Sequence, residues 1–447
     1  MEKDLTKGSV LKNVAIFSLP YLLSYFLQTL YGMADLFIIG QFEGVAGTTA
    51  VSIGSQVMHM ITVMVVGLAM GATVNIAQAV GAGDKKKVSV NIGNTVTLFM
   101  GVAIALTFIL LMFTRGIVNV MSTPKEAVDG TITYLTICFI GIPFITAYNI
   151  ISSIFRGLGD SKSPMYFIAV ACAANIILDY LFMGLLGLGA AGAALGTTLS
   201  QAISVIVSLV VITRQKTGIT IGKKDNFIPK KDTIIPIVKI GIPIALQDGF
   251  IQIAFIIITI IANKRGLNDA AAVGIVEKII SFLFLVPSSM LSTVSALGAQ
   301  NIGAGKPERA IQALRYAIII TVSFGFCVAV IMQFAGSSVV ALFTDKSSTD
   351  GLEVVRLGGQ YLRGYVWDCM LAGIHFSFSG YFCACGRSEL SFIHNIIAIM
   401  LVRVPGVYLT SKMFATTLYP MGLATATGSL VSAILCTIFF IRMRKKA

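Results

Sequence analysis

Four polar side chains lie inside long apolar stretches of the sequence, where they could bind a cation. Asp35 interrupts the run LYGMADLFIIG, and Thr197 lies within GAALGTTLS. Asn175 and Asp179 are four residues apart in CAANIILDYLF, so they share one face of a helix. Because an ionised carboxylate near the centre of a bilayer costs at least about 2.5 kcal/mol, such residues usually face a cavity and mark a path for ions or protons.

The chemistry of this set depends on whether the helices that carry it meet. If they do, two carboxylates, an amide oxygen and a hydroxyl converge, and an all-oxygen cluster suits a hard cation rather than zinc or copper. Two carboxylates close together would also bind a proton, because their negative charges repel each other when both are ionised. Gln28 lies seven residues before Asp35, on the same face of the predicted helix. The alternative is that these residues are separate hydrogen-bonded groups that help helices pack.

The elements that must position these residues are membrane-spanning helices. The chain has 447 residues, of which 56% are hydrophobic and 12% are charged, and its mean hydropathy is +0.88. Soluble domains carry roughly 25% charged residues, so lipid rather than water is the expected solvent. The expected fold class is an all-α integral membrane protein. About 20 apolar residues cross a bilayer as a helix, and the sequence predicts twelve such spans, near 14–40, 50–80, 90–113, 131–155, 164–186, 190–213, 234–262, 271–302, 311–334, 357–384, 390–411 and 420–441.

The net charge of +13 is explained by where the basic residues lie between the spans. Lysines and arginines collect in every second loop and near both ends of the chain, as in GDKKK, RQKTGITIGKKD and RMRKK. Cytoplasmic loops of membrane proteins collect such residues, so we expect both termini in the cytoplasm and no nucleic acid partner. The segment MEKDLTKGSVLKNV lacks a short apolar core and a cleavage site, which argues against a signal peptide.

The two halves of the sequence repeat one pattern of six spans. NIAQAVGAGDKKKV matches LGAQNIGAGKPERA, and FRGLGDSKSPM matches FCACGRSELSF at the equivalent place in the second half. Because six is even, both copies begin on the same side of the membrane, and parallel repeats of this kind enclose a central cavity in carriers. We predict an N-lobe at 1–213, a charged cytoplasmic linker at 214–233 and a C-lobe at 234–447.

The second half also serves as an internal comparison for the cation-binding set. In the order Asp35, Asn175, Asp179 and Thr197, the repeat aligns these positions with Ile258, Val402, Gly406 and Thr427. Only the threonine is kept. A polar set needed merely to fold the six-helix unit should be present in both copies, so its presence in one copy indicates a function specific to the N-lobe.

The sequence resembles the MATE (multidrug and toxic compound extrusion) transporters, in particular the DinF-like prokaryotic branch of the MOP flippase superfamily. The resemblance rests on the segments QNIGAGKPERA, AQAVGAGDKKKV and FRGLGDSKSPM and on the aspartate near the end of the first span, and it covers the whole chain. It implies a V-shaped bundle of twelve helices in the plasma or inner membrane. A monomer without a cofactor would export drugs or metabolites in exchange for Na⁺ or H⁺.

The resemblance also assigns residues to sites. Asp35, Asn175, Asp179 and Thr197 match positions at which MATE proteins place the ligands of a cation, and Gln28 matches a position on the cavity wall of the first helix. We therefore predict a cation-coupling site of these five residues, the first four being metal ligands if the cation is Na⁺. The sequence does not choose between Na⁺ and H⁺.

Candidate residues of the substrate cavity come from both halves and include adaptable and acidic side chains: Met33, Tyr148, Asp248, Asp368 and His375. Methionine and aromatic side chains suit a lipophilic, often cationic small molecule. The acids inside the later spans, which include Glu277, could bind either cation or substrate.

Two further interpretations concern charged residues of the C-lobe. Asp368 could form a second cation site with Asp248, or it could pair with Arg363. Arg403 needs a counter-charge or a carbonyl partner in lipid, and we expect a structural ion pair.

The leading hypothesis is a secondary antiporter that works by alternating access, with Pro20 as a candidate hinge in the first span. The alternative is a flippase of the same superfamily for lipid-linked sugars or lipids, which should present several cavity arginines for a pyrophosphate. Only Arg363 and Arg403 are candidates. A membrane enzyme is not supported, because the sequence has no Ser/His/Asp constellation, HExxH motif or P-loop.

Overall fold

The chain is almost entirely helical in the computed structural model, which describes residues 4–214, 226–344 and 348–445. The middle of the predicted linker therefore lies outside the described residues, as do both chain ends. The α-helices are α1 Val10–Phe42, α2 Val45–Gly81, α3 Lys85–Val120, α4 Val128–Ile140, α5 Ile142–Gly157, α6 Lys162–Asp179, α7 Gly189–Arg214, α8 Lys231–Asn263, α9 Leu267–Leu283, α10 Leu285–Gly303, α11 Pro307–Val340, α12 Thr349–Tyr365, α13 Trp367–Ala384, α14 Ser388–Ala398, α15 Val404–Met413 and α16 Tyr419–Arg444.

Long apolar helices confirm the expected all-α membrane fold. In the described parts of the chain, 10 helices are long and apolar enough to cross a bilayer, and a bent pair brings the number to 11. That pair corrects the predicted span 131–155, because α4 and α5 meet at Gly141 with a bend of 48°. The predicted span 357–384 is also divided, between α12 and α13 at Val366. The number of twelve spans stays a prediction.

The internal repeat is visible in the turns that follow equivalent spans. Gly83 and Gly305 have φ angles of 71° and 68°, and the matched pair Gly159 and Gly386 have φ angles of 88° and 70°. This left-handed region is open to glycine without steric cost. The repeated glycines therefore end equivalent helices in both halves with the same backbone geometry.

Two compact units make up the described chain. Unit 1 is built mainly from Leu19–Ala245 with the short piece Gly303–Gly305, and unit 2 mainly from Leu246–Ile302, the chain after Lys306 and Lys7–Ser18. The start of α1 thus belongs to unit 2 and the start of α8 to unit 1. The predicted division into lobes at the linker stays a prediction.

Each unit has its own apolar core. In unit 1, buried residues of α2, α4, α5 and α7 pack around Tyr134 and Phe139. In unit 2, residues of α8, α9, α12 and α16 pack around Tyr361 and Tyr365.

The first turns of α8 pack directly on α2 within unit 1. A Cβ atom built at Gly71 would collide with the carbonyl oxygen of Ile237, and one built at Gly241 would collide with the carbonyl oxygen of Leu68. Small residues allow the backbones of membrane helices to approach this closely.

Replacing either glycine by alanine should therefore destabilise the protein. We expect Gly71→Ala and Gly241→Ala to lower the free energy of unfolding by about 1–3 kcal/mol, the usual cost of overpacking. The matched control is Gly101→Ala on α3, where a Cβ atom meets nothing within 4 Å. Thermal unfolding in detergent measures the three variants, and equal midpoints would contradict the close packing of α2 and α8.

Candidate functional site

The predicted cation-binding residues meet in the interior of unit 1. Asp35 on α1 is 2% exposed, Thr197 on α7 is 7% exposed, and Asn175 and Asp179 on α6 are fully buried. The Thr197 hydroxyl donates a hydrogen bond to Asp35 Oδ2 over 3.1 Å. Asp179 and Asn175 both lie within interaction range of the Asp35 carboxylate. The structure thus brings all four side chains together.

Most oxygen atoms of this cluster have no hydrogen-bond donor among the described residues. The buried atoms without a hydrogen-bond partner are Asp35 Oδ1, both carboxylate oxygens of Asp179, and the amide oxygen and nitrogen of Asn175. Ionised carboxylates only accept hydrogen bonds, so Asp35 and Asp179 cannot satisfy each other. A buried pair of this kind needs a positive charge between its members, which Na⁺ or a proton can supply.

Two local features of the backbone shape the cluster. A Cβ atom built at Gly196 on α7 would collide with Asp179 Oδ1, so only glycine leaves room for that carboxylate. A π-helical segment, Tyr180–Leu185, begins directly after Asp179. Segments of this type occur frequently at functional sites. The apolar periodicity of the sequence does not indicate the π-helical segment. The small residues of GAAGAALG could have indicated that α7 approaches α6 closely.

Tyr31 is a member of the cluster that the sequence analysis missed. Its hydroxyl is buried, and it lies near Asp35 and Thr197. Tyr31 precedes Asp35 by four residues, so it lies one turn away on the same face of α1. That spacing could have revealed it.

Three other predicted residues of unit 1 lie apart from this cluster. Gln28 is half-buried, and within the described residues it makes no hydrogen bond to the cluster. Met33 is 46% exposed, whereas Tyr148 is buried in the apolar core beside Phe155 and Phe167. A cavity role for these residues stays a prediction.

Unit 2 has a polar centre of a different kind. Arg403 Nη2 lies 2.8 Å from Asp368 Oδ2, and it also donates to the Tyr365 hydroxyl over 2.9 Å. This ion pair confirms the expected counter-charge of Arg403. The proposed pairing of Asp368 with Arg363 is wrong, because the Arg363 guanidinium contacts the Ser337 hydroxyl instead. Arg403 binds Asp368 Oδ2, and Asp368 Oδ1 has no hydrogen-bond partner among the described residues.

A pocket in unit 2 adjoins this ion pair. It is lined by aromatic and polar side chains: Phe255, Phe284, Asp368, His375, Asn395 and Arg403. Two predicted cavity residues, Asp368 and His375, therefore share one pocket. Asp248 is half-buried and does not line it, so the structure gives no support to a cation site made of Asp248 and Asp368. Glu277 accepts a hydrogen bond from the Thr259 hydroxyl over 3.2 Å.

The donor set of the unit 1 cluster restricts the cations that it can hold. The described residues contain no group of three or more His, Cys, Asp or Glu side chains placed to hold a metal ion. Two carboxylates, one amide and one hydroxyl instead offer a small, hard, all-oxygen set. This set fits Na⁺ or a proton.

Comparison with known proteins places the chain among membrane transporters. The sequence pattern of the MatE family matches residues 20–181 and 243–409. "Probable multidrug resistance protein YpnP" of Bacillus subtilis (strain 168) is 28% identical over 402 residues, which cover 90% of this chain and 88% of that protein. "Multidrug export protein MepA" of Staphylococcus aureus (strain MSSA476) is 25% identical over 441 residues, 98% of this chain and 95% of that protein.

Solved structures show the same fold. A MOP superfamily transporter from Pyrococcus furiosus superposes with a TM-score of 0.91 at 24% identity, over 99% of this chain and 97% of that one. An outward-facing multidrug resistance transporter of the MATE family superposes with a TM-score of 0.90, also at 24% identity, over 99% of this chain and 98% of that one.

The close approach of Gly196 to Asp179 gives a direct test of the cation cluster. We expect Gly196→Ala to block the cluster, since the added methyl group takes the space of Asp179 Oδ1. Thermal unfolding in rising NaCl, with choline chloride at equal ionic strength as the reference, measures cation binding. A cation at 100 times its Kd stabilises a protein by about 2.7 kcal/mol, and Gly196→Ala should lose this gain.

The matched control for this variant is Gly32→Ala, on α1 three residues before Asp35, where a Cβ atom meets nothing within 4 Å. It should respond to the cation as the unmodified protein does. The same series at falling pH detects a proton in place of Na⁺. A Gly196→Ala protein that keeps its full cation response would contradict the proposed geometry.

Proposed function

The chain belongs to the MatE family of membrane transporters, as its sequence resemblance indicated, and from this premise we propose that it is a secondary antiporter. It exports lipophilic or cationic small molecules in exchange for Na⁺ or H⁺ by alternating access. Members of this family are not enzymes. The observation that carries the proposal is the buried pair of Asp35 and Asp179, which has no internal positive charge among the described residues around it.

The coupling follows from the electrostatics of that pair. A cation that enters from outside binds between the carboxylates and removes their mutual repulsion. Bound cation therefore favours the conformation in which α1, α6 and α7 pack tightly around the cluster. A ligand shifts a conformational equilibrium only if it binds the two states unequally. Substrate that binds the cation-free state better completes the exchange.

Bending of α1 is the proposed movement. Pro20 lies inside α1, and its carbonyl oxygen accepts a hydrogen bond from the Ser24 hydroxyl over 2.7 Å. Proline lacks the N–H that would bond to the carbonyl of Ile16 four residues earlier, and membrane helices tolerate such a missing bond. The helix can therefore change its bend at Pro20 at low cost while Asp35 stays in its cluster.

The substrate class is supported by the relatives, two of which are described as multidrug resistance or export proteins. The flippase alternative would need arginines free to bind a pyrophosphate. Arg403 is paired with Asp368 inside unit 2, which leaves one candidate fewer for that role. Export of lipophilic cations therefore remains the better proposal. We also propose a monomer in the cell membrane with both termini in the cytoplasm.

Neutral substitutions of the two carboxylates test the coupling. We expect Asp35→Asn and Asp179→Asn each to reduce gradient-driven dye efflux by about tenfold or more, within the usual range of coupling energies. Efflux is measured in proteoliposomes under separate Na⁺ and pH gradients, which also identifies the ion. The control is Asp129→Asn, which replaces an exposed aspartate in the first turn of α4. Full efflux in both cluster variants would refute the proposal.

The repeat supplies a matched pair of threonines for a finer test. The Thr197 hydroxyl donates to Asp35, whereas the Thr427 hydroxyl donates to the Leu423 carbonyl of its own helix over 2.8 Å. A hydrogen bond to a charged group contributes about 1.5–3 kcal/mol. We expect Thr197→Val to raise the cation concentration for half-maximal efflux at least about fivefold. Thr427→Val should leave it unchanged, and equal effects of the two substitutions would argue against a role specific to unit 1.

A further inference from the structure

The polar centre of unit 2 carries its own positive charge. The Arg403 guanidinium is bonded to Asp368 and to the Tyr365 hydroxyl. Its central carbon lies 5.6 Å from the centre of the Phe255 ring and 5.7 Å from that of Tyr365. Arg403 is 9% exposed and Asp368 is fully buried. One guanidinium is therefore held on several sides by an ion pair, a hydrogen bond and two aromatic rings.

A second carboxylate belongs to the surroundings of this guanidinium. Glu277 on α9 lies within electrostatic range of Arg403, and His375 lines the same pocket. In unit 2, Asp368 is thus bonded directly to the fixed cation, whereas Glu277 accepts its hydrogen bond from Thr259. The cluster of unit 1 gathers two carboxylates, Asp35 and Asp179, with no basic side chain among the groups that act on them.

The two centres lie beside π-helical segments of their halves but at different positions of the repeat, which aligns Asp179 with Gly406 rather than with Arg403. In unit 1, Asp179 directly precedes the π-helical segment Tyr180–Leu185, and in unit 2 Arg403 ends the π-helical segment Ile399–Arg403. Each charged residue also packs against a glycine of the last helix of its half. A Cβ atom at Gly196 would collide with Asp179, and one at Gly428 would lie 2.9 Å from the Arg403 Cβ atom.

We infer that Arg403 is a built-in substitute for the exchangeable cation, so that unit 2 has a permanently occupied cation position and only unit 1 exchanges an ion. This inference rests on the proposed antiport function and specifies which half of the protein performs the coupling. An arginine stays charged throughout the physiological pH range. Because it is covalently attached, it cannot leave the pocket when the outside cation concentration falls.

The assignment explains the asymmetry of the repeat. The second half has lost the counterparts of Asp35 and Asp179, which are Ile258 and Gly406. It has instead a carboxylate on α13 and a guanidinium at the end of the π-helical segment before α15. The Asp368 carboxylate is therefore paired within the chain through its Oδ2 atom, and its Oδ1 atom has no hydrogen-bond partner among the described residues.

The test removes the built-in cation from a protein in which the unit 1 site is silent. Asp35→Asn/Asp179→Asn serves as the background, and Arg403→Met or Arg403→Lys is added to it. Thermal unfolding is followed in rising NaCl against choline chloride, and again at falling pH. We expect the background and the lysine variant to show no cation response. The methionine variant should gain a response, and a further Asp368→Asn substitution should abolish it.

Three results decide the inference. A folded methionine variant without any new cation response would overturn it. A second result would also overturn it: the background protein, in which Arg403 is intact, shows a cation response, and Asp368→Asn removes that response. This measurement does not require the methionine variant to be stable. The third result concerns the unmodified protein: if it shows no cation response, the proposed site in unit 1 fails, while the comparison of methionine with lysine still decides the role of Arg403.

Discussion

Two buried carboxylates cannot both stay ionised in an apolar helical unit unless a positive charge lies between them, and this constraint organises both halves of the protein. Removing a carboxylate from water costs far more than helix packing returns, unless the group is neutralised or paired. In unit 1, Asp35 and Asp179 lie close together, and among the described residues only the Thr197 hydroxyl donates a hydrogen bond to the pair. In unit 2, Arg403 meets the same need from within the chain.

The backbone around each centre is adapted to this constraint. Regular α-helices satisfy their own backbone groups in lipid but leave little room for buried polar side chains. Here α6 changes into a π-helical segment directly after Asp179, and glycines on α7 and α16 allow close approach to Asp179 and Arg403. Two departures from ideal helices therefore lie beside buried charged residues, at Asp179 and at Arg403.

The duplicated architecture carries two different polar centres. The left-handed turns at Gly83 and Gly305 show that the helix ends have been kept in both copies. The charged centres have not been kept. On the proposed assignment, unit 1 exchanges a cation while unit 2 keeps a fixed one, so that ion coupling is separated from a centre whose cation cannot leave.

The sequence by itself determined the membrane environment, the repeat and the four polar residues, Asp35, Asn175, Asp179 and Thr197, that meet in unit 1. Low charge, apolar runs and the spacing of Asn175 and Asp179 are local properties, and they survive in the folded protein because helices keep their periodicity. Only the tertiary structure decided the partners of the C-lobe charges. Asp368 pairs with Arg403, 35 residues away, rather than with Arg363, because α13 and the π-helical segment meet in space. The π-helical segments, the bend at Gly141 and the place of Tyr31 likewise depend on packing between helices, which no local pattern encodes.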